Sequence, residues 1–354
     1  MIKLGMWRRG LIRQWGAKPM MLAITFFASG LVVVLAGTSL ARYGNAIGER
    51  TRIGGLWIGT VLLAGATSLP ELATDITAVR IGAPNLAVGD LFGSSMANML
   101  ILAIVDLLSP RKRVLRQATL DHALSACLAI SLTAIAAVFV LLSPGPSFRN
   151  ISLGSVLLLL IYIAGTRAVY RHVTRDHGSS TAGDSWNVPK EHEPPTLRRA
   201  TVGFLLAAVA ILVAAPAFAR SANAVAEVTG LGTTFVGTWL VGFSTSLPEL
   251  VTSIAAVRMG AFDLALGNLF GSNGFNMAIF FALDLANSGG SIFSGLDPLH
   301  AVSALFAVVM TSMGLGAIVY RAERRFAMIE PDSILIVATY VLAIWLSYTQ
   351  SRGL

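Results

Sequence analysis

The stretch "TSLPEL" at Thr67–Leu72 returns unchanged at Thr245–Leu250, and each copy lies inside a long apolar segment. A proline in such a place removes a backbone N–H and crowds the carbonyl four residues earlier. A glutamate there is costly to hold in hydrocarbon. One such placement is an oddity. Two in matching surroundings imply a duplicated unit with a use for both residues.

Working outward, a shift of 178 residues lays Gly59–Asp106 on Gly237–Asp284 without a gap, and 27 of the 48 positions are identical. Upstream, Arg42, Asn45 and Glu49 fall on Arg220, Asn223 and Glu227; downstream, His122 falls on His300. The chain is therefore a tandem of two related halves.

Its composition places both halves in a membrane. Of 354 residues 55% are hydrophobic and 12% charged, with a mean hydropathy of +0.72. Soluble domains carry about 25% charged residues. Runs long enough to cross a bilayer, about 20 residues each, fall at 20–44, 53–79, 85–108, 117–143, 151–171, 200–227, 232–257, 263–286, 297–320 and 331–349. The expected fold is all-α and multi-pass, with ten transmembrane helices. The first half is 1–171, a linker covers 172–199, and the second half is 200–354. Five spans per half is an odd number, so the second half enters the membrane upside down relative to the first. This is the inverted repeat common in secondary transporters.

The net charge of +8 does not point to nucleic acid, because the basic residues sit in short loops between apolar runs. "PRKRVLR" (110–116) and "YRAERR" (320–325) place the odd loops and the linker in the cytosol by the positive-inside rule. The basic N-terminal tail opposes this count. The single cysteine, Cys127, allows neither a disulfide framework nor a cysteine metal site. The linker holds His172, His177 and His192; a solvated loop is the simpler reading than a metal site. No catalytic serine–histidine or paired-aspartate arrangement is evident, so an enzyme is not expected.

The chemistry concentrates in the repeated segments. Pro70 deprives the Ala66 carbonyl of its helical partner, and Pro248 does the same to Ser244. A freed carbonyl in lipid must be satisfied by something, and a bound cation would serve. Beside these carbonyls stand the hydroxyls of Thr67, Ser68, Thr245 and Ser246, and just beyond each proline the carboxylates of Glu71 and Glu249. The next span of each half, "GDLFGSSMANM" (89–99) and "GNLFGSNGFNM" (267–277), is expected to be a glycine-broken helix. It adds Ser94 and Asn98 on one helical face, repeated by Ser272 and Asn276. All of these are hard oxygen ligands, suited to Na+ or Ca2+. Two facing carboxylates repel without a cation; one Ca2+ or a few Na+ relieve that, and protons compete at low pH.

Two acids break the symmetry. Asp75 stands where the second half has Ser253, and Asp90 where it has Asn268. Either would make an extra cation or proton site; a solvated vestibule acid or a helix cap is the simpler expectation. Arg80 and Arg258 read as interface anchors, and His122 and His300 as a helix-interface pair or a protonation gate. Met96, Met99, Met277, Phe92 and Phe270 read as packing.

"GATSLPEL…GDLFGSSMANM" and "GFSTSLPEL…GNLFGSNGFNM" resemble the two alpha repeats of the Ca2+/cation antiporter superfamily, and most of all those of prokaryotic sodium/calcium exchangers. The resemblance implies Na+/Ca2+ exchange by alternating access, with the first and sixth helices sliding across a core of eight. It implies ion ligands at Thr67, Ser68, Glu71, Ser94 and Asn98, and at Thr245, Ser246, Glu249, Ser272 and Asn276. It further implies a prokaryotic cell membrane, transported Na+ and Ca2+, no cofactor and no obligatory protein partner. A Ca2+/H+ or other cation/H+ antiporter is the nearest alternative, and a passive cation channel a more distant one. The chain departs from the pattern in four ways, the added acids Asp75 and Asp90 being one. Asn98 and Asn276 replace aspartates found in many members, which argues against the potassium-dependent branch. Ser95 replaces the usual asparagine of Gly-Ser-Asn. The linker is too short for a folded calcium-sensing domain.

Overall fold

The computed structural model describes residues 18–51, 53–109, 114–142, 147–148, 151–176, 195–228, 245–320 and 331–351. Helix α1 runs over Lys18–Thr51. The next span is in two pieces, α2 (Gly55–Thr67) and α3 (Leu69–Arg80), bent by 43°. Then come α4 (Pro84–Leu107), the turn α5 (Val114–Gln117), α6 (Leu120–Leu141), a small antiparallel ladder β1 (Ser147–Phe148) and β2 (Ile151–Ser152), and α7 (Leu153–Asp176). The second half supplies α8 (Leu197–Val228), α9 (Leu247–Arg258), α10 (Phe262–Ala286), α11 (Leu299–Tyr320) and α12 (Pro331–Ser351).

Among the described residues seven helices are long and apolar enough to cross a membrane, or eight if the bent α2–α3 pair is one span. The seventh expected span begins in 229–244, outside the described residues, and α12 is a shorter apolar helix. The linker segment 177–194, with His177 and His192, the basic segments 110–113 and 321–330, and the N-terminal tail also lie outside them.

The burial pattern is that of a bundle in hydrocarbon. Helices α4 and α10 are enclosed on most faces. By contrast α1 and α8 present Phe27, Leu35, Leu206 and Val213 outward, each more than half exposed. Lipid tails solvate such side chains, so exposure there carries no aqueous penalty.

The halves interlock. Helix α4 packs on α11 and α12, and α10 packs on α6 and α7, so each enclosed helix leans on the last two spans of the other half. Buried contacts repeat in the same crossed fashion. The Ser333 hydroxyl donates to Asp106 Oδ2 at 2.8 Å, and the Ser155 hydroxyl donates to Asp284 Oδ2. The aspartates are 178 residues apart (284 − 106), and so are the serines (333 − 155). His122 Nε2 lies 3.4 Å from Asp263 Oδ1, while His300 Nε2 lies 3.1 Å from Asn85 Oδ1, again at offsets of 178. Contacts between the halves thus come in pairs related by the 178-residue offset.

Glycines let α2 and α10 touch backbone to backbone. A Cβ on Gly59 would stand 2.6 Å from the Leu264 carbonyl oxygen, one on Gly267 2.7 Å from that of Leu56, and one on Gly271 2.5 Å from that of Thr60. On this contact α2 widens into a π-helical turn at Ile58–Leu63. Helices α3 and α9 end alike: Gly82 (φ 81°) and Gly260 (φ 80°) take the left-handed conformation of a Schellman close. The Gly82 and Ala83 N–H groups donate to Val79 and Ala78, as those of Gly260 and Ala261 do to Val257 and Ala256.

Candidate functional site

The break that builds the site is at Ser68, between α2 and α3. Pro70 follows it in the first turn of α3, where a missing N–H costs nothing to that helix. So the proline opens a new helix just after the break, and the span as a whole is bent by 43°. Pro70 still offers no N–H to the Ala66 carbonyl. Ser246 and Pro248 open α9 in the same way; Ser244, its carbonyl included, lies outside the described residues. In both copies the glutamate falls in the first turn, where the helix dipole favours negative charge.

Here an expectation is corrected. Helices α4 and α10 are continuous, not broken at Gly93 and Gly271. A glycine in a buried helix keeps its backbone hydrogen bonds, and enclosure by neighbours outweighs its low propensity. These glycines do different work instead. At Gly271 the missing side chain admits Thr60, whereas a Cβ at Gly93 would meet nothing within 4 Å.

Glu71, Ser68 and Thr67 of the first half are brought together with Glu249 of the second. Glu71 and Glu249 are 2% and 1% exposed, and near enough for each charge to act on the other. The Ser68 hydroxyl donates to Glu249 Oε1 at 3.4 Å, across the halves. Thr67, Ser94, Asn98, Thr245, Ser246, Ser272 and Asn276 are all buried.

Most of these oxygens have nothing to bond. Glu71 Oε2, Glu249 Oε2, Ser94 Oγ, Ser246 Oγ, Ser272 Oγ, Asn98 Oδ1 and Asn276 Oδ1 are buried without a hydrogen-bond partner among the described residues. Buried polar atoms are normally paired, and each orphan costs about 1–3 kcal/mol. Seven such oxygens lie on residues that the repeat already singles out. Carboxyl, hydroxyl and amide oxygens are the ligand types that suit a hard ion such as Na+ or Ca2+.

Several supporting residues were not foreseen. The Asn98 Nδ2 group donates to Asn273 Oδ1 at 2.9 Å, which turns the Asn98 carbonyl oxygen the other way. Asn273 in turn reaches Thr311 Oγ1 at 3.5 Å. At the repeat-related place Ser95 gives its hydroxyl to the Leu91 carbonyl instead, so Asn276 has no such holder there. Asn268 donates to Thr252 and Ser253 at 3.1 and 3.2 Å and accepts from Thr67 at 3.3 Å. The Gly-Ser-Asn motif was the one sequence signal for Asn273; nothing signalled the π turn that leaves Thr60 Oγ1 buried and unpaired.

Of the remaining candidates, Asp75 is 1% exposed and so is not a solvated vestibule acid. Asp90 lies within α4, well past its first turn, and is no helix cap. His122 closes a capping box at the start of α6 with Thr119, and Arg80 ends α3 at an exposed position. The packing set is as expected: Met96, Met99, Met277, Phe92 and Phe270 are all buried.

With this geometry in view, the chain was compared with known proteins. It belongs to the sodium/calcium exchanger protein family, whose model matches residues 21–170 and again 199–349, two segments whose starts are 178 residues apart. It is therefore an integral, multi-pass membrane protein of an antiporter family, whose substrates are cations. The inner membrane protein YrbG of Escherichia coli is 28% identical over 297 residues, covering 82% of this chain and 86% of that one. The sodium/calcium exchanger MaX1 of Methanosarcina acetivorans is 25% identical over 345 residues, covering 88% and 97%. Among solved structures, one of the sodium–calcium exchanger NCX_Mj superposes with a TM-score of 0.67 at 23% identity, covering 92% of this chain and 98% of that one. The last comparison concerns the fold.

Proposed function

We propose that the chain exchanges Na+ for Ca2+ across the membrane by alternating access, at a single site centred on Glu71 and Glu249. The observation that carries this reading is a pair of buried, mutually interacting carboxyl groups from opposite halves, together with buried oxygens on the repeated serines and asparagines that have no partner among the described residues. Thr67, Ser68, Thr245, Ser246, Ser94, Asn98, Ser272, Asn276 and the carbonyls of Ala66 and Ser244 complete the coordination. Electrostatics then enforces exchange. One Ca2+ balances the two carboxylates, and so do two Na+, whereas an empty site leaves two buried charges in repulsion. Either cargo lowers the cost of the site, and neither leaves cheaply until the other arrives.

The crossed, paired contacts support two inverted five-helix halves, 1–171 and 200–354, joined by a cytosolic linker at 172–199. The long lipid-facing pair α1 and α8 packs along itself and against α9 and α3, and slides over the rest to open the site to one side or the other. MaX1 and NCX_Mj carry the sodium/calcium exchange name, and YrbG the inner-membrane one. On that basis the chain is assigned to a prokaryotic cell membrane, as a transporter and not an enzyme, with Na+ and Ca2+ as cargo and no resident cofactor.

The test is Ca2+ uptake by proteoliposomes under an outward Na+ gradient, with pH and K+ held equal on both sides. Na+-dependent uptake that vanishes when choline replaces Na+ is the expected result. Uptake driven by a pH gradient without Na+ would instead establish cation/H+ antiport. Ca2+ flux indifferent to any counter-ion would establish a channel.

A further inference from the structure

We propose that Asp75 and Asp90 form a second, separate cation site whose occupant is a proton held between the two carboxyl groups. The second half shows what the position looks like without it. There Ser253 and Asn268 stand at the same places and bond directly, Nδ2 to Oγ at 3.2 Å. In the first half both partners are acids, and they face each other within hydrogen-bonding reach. Two ionised carboxylates are acceptors only and cannot bond to each other; a hydrogen bond between them requires one proton.

Among the described residues no donor reaches the Oδ2 atom of either acid. Asp75 is 1% exposed; Asp75 Oδ2 and Asp90 Oδ2 are sealed from solvent, with no partner among the described residues. The surrounding charges make matters worse for a doubly ionised pair. Glu71 on α3 and Glu249 on α9 both act on Asp90, and Glu71 also on Asp75. The neighbouring face of α10 presents the neutral Asn268 and Ser272. On α11 the His300 ring lies over Gly89, beside Asp90, but its Nε2 is engaged with Asn85. Arg80, at the end of α3, and Arg220 on α8 are exposed. Among the described residues no three or more acids, histidines or cysteines form a group that could hold a metal ion.

The pair sits one helical turn from Glu71 on α3 and one turn from Ser94 on α4, so its charge acts on whatever the main site holds. Protonated once, it adds one negative charge beside the cavity; stripped, it adds two. Cation binding at Glu71 and Glu249 therefore tightens as the proton leaves, and the cation in turn favours its departure. This effect on transport rests on the exchange reading above, but the proton site itself does not.

The decisive variant is D75S/D90N, which installs the residues the second half already accommodates. Infrared spectra of the full-length protein with saturating Ca2+, which keeps Glu71 and Glu249 ionised, should show a carboxylic-acid carbonyl band that moves in D2O. The double variant should lack that band. In parallel, apparent Ca2+ affinity should rise with pH at least about tenfold more in the wild type than in the double variant. Should the double variant fold poorly, D75N and D90N each keep an amide-to-carboxylate hydrogen bond and should each abolish the band. A band that survives in the variants, its absence from the wild type from acid to neutral pH, or superimposable affinity profiles would overturn the proposal. Loss of Na+-driven uptake with the band intact would strike the exchange reading and leave the proton site standing.

Discussion

Gly93 and Gly271 occupy the same place in the two repeats (271 − 93 = 178), yet adding a methyl group to each should have opposite consequences. At Gly271 the new Cβ would lie 2.5 Å from the Thr60 carbonyl oxygen and 2.6 Å from its Cα. An ordinary contact begins at 3.4 Å, so the overlap is 0.9 Å against the oxygen and 0.8 Å against the Cα. Both obstacles are main chain, on a helix that also meets α10 through Gly59 and Gly267. Relief requires the two helices to separate along the whole seam. Overpacking of this kind costs about 1–3 kcal/mol, and a contact with no flexible atom belongs at the upper end. The better helix propensity of alanine returns roughly 1 kcal/mol. At Gly93 the methyl meets nothing, so only the propensity gain remains. G271A should thus be less stable than G93A by about 2–3 kcal/mol. Residual monodisperse protein after heating in detergent, followed by gel filtration, reads this order directly: G93A at or above the wild type, G271A well below it. Equal loss in both variants, or the reverse order, would show that α2 and α10 do not meet backbone to backbone along this seam.

Other consequences are as definite. Replacing Asp284 by Ala leaves the N–H groups of Ser152 and Ile292 and the Ser155 hydroxyl without their acceptor; at about 1–3 kcal/mol per buried orphan, D284A should destabilise strongly in the same heating assay. N273A removes the acceptor that orients the Asn98 amide, so it should weaken apparent Ca2+ affinity in flux assays while S95A, whose hydroxyl only bonds its own helix, should not. Acidification should weaken Ca2+ uptake in every variant that keeps Glu71 and Glu249, because a proton on either removes a ligand charge; transport unchanged between neutral and acid pH would oppose this.

Legibility followed periodicity and repetition. The duplication, the apolar runs and the oxygen-rich motif were all visible, because hydropathy and internal identity are properties of the string. Asp106 and Asp284 close the region of strongest identity, and their role as crossed latches to Ser333 and Ser155 was latent in that ending. What stayed hidden depends on neighbours. Glycine in α4 and α10 reads locally as a weakness in the helix, but enclosure keeps both helices whole and turns Gly271 into a contact point. The π turn at Ile58–Leu63 exists because α2 must meet α10 at Gly59, which no local propensity encodes. Asp75 looked solvated because a lone acid normally is; only the packing of α3 on α4 shows that it is sealed. Pro70 marked the neighbourhood of the break but not its place, which is Ser68.

The central claim is that Glu71 and Glu249 jointly neutralise one divalent cation drawn between the two halves. Equilibrium binding of radioactive Ca2+ to the purified protein, its E71Q variant and its E249Q variant tests it with no transport step involved. The account predicts one Ca2+ per chain in the wild type, displaced by Na+, and affinity at least about a hundredfold weaker in each variant, since either change removes half the charge that holds the ion. Undiminished binding in either variant would mean that the two carboxylates do not share an ion.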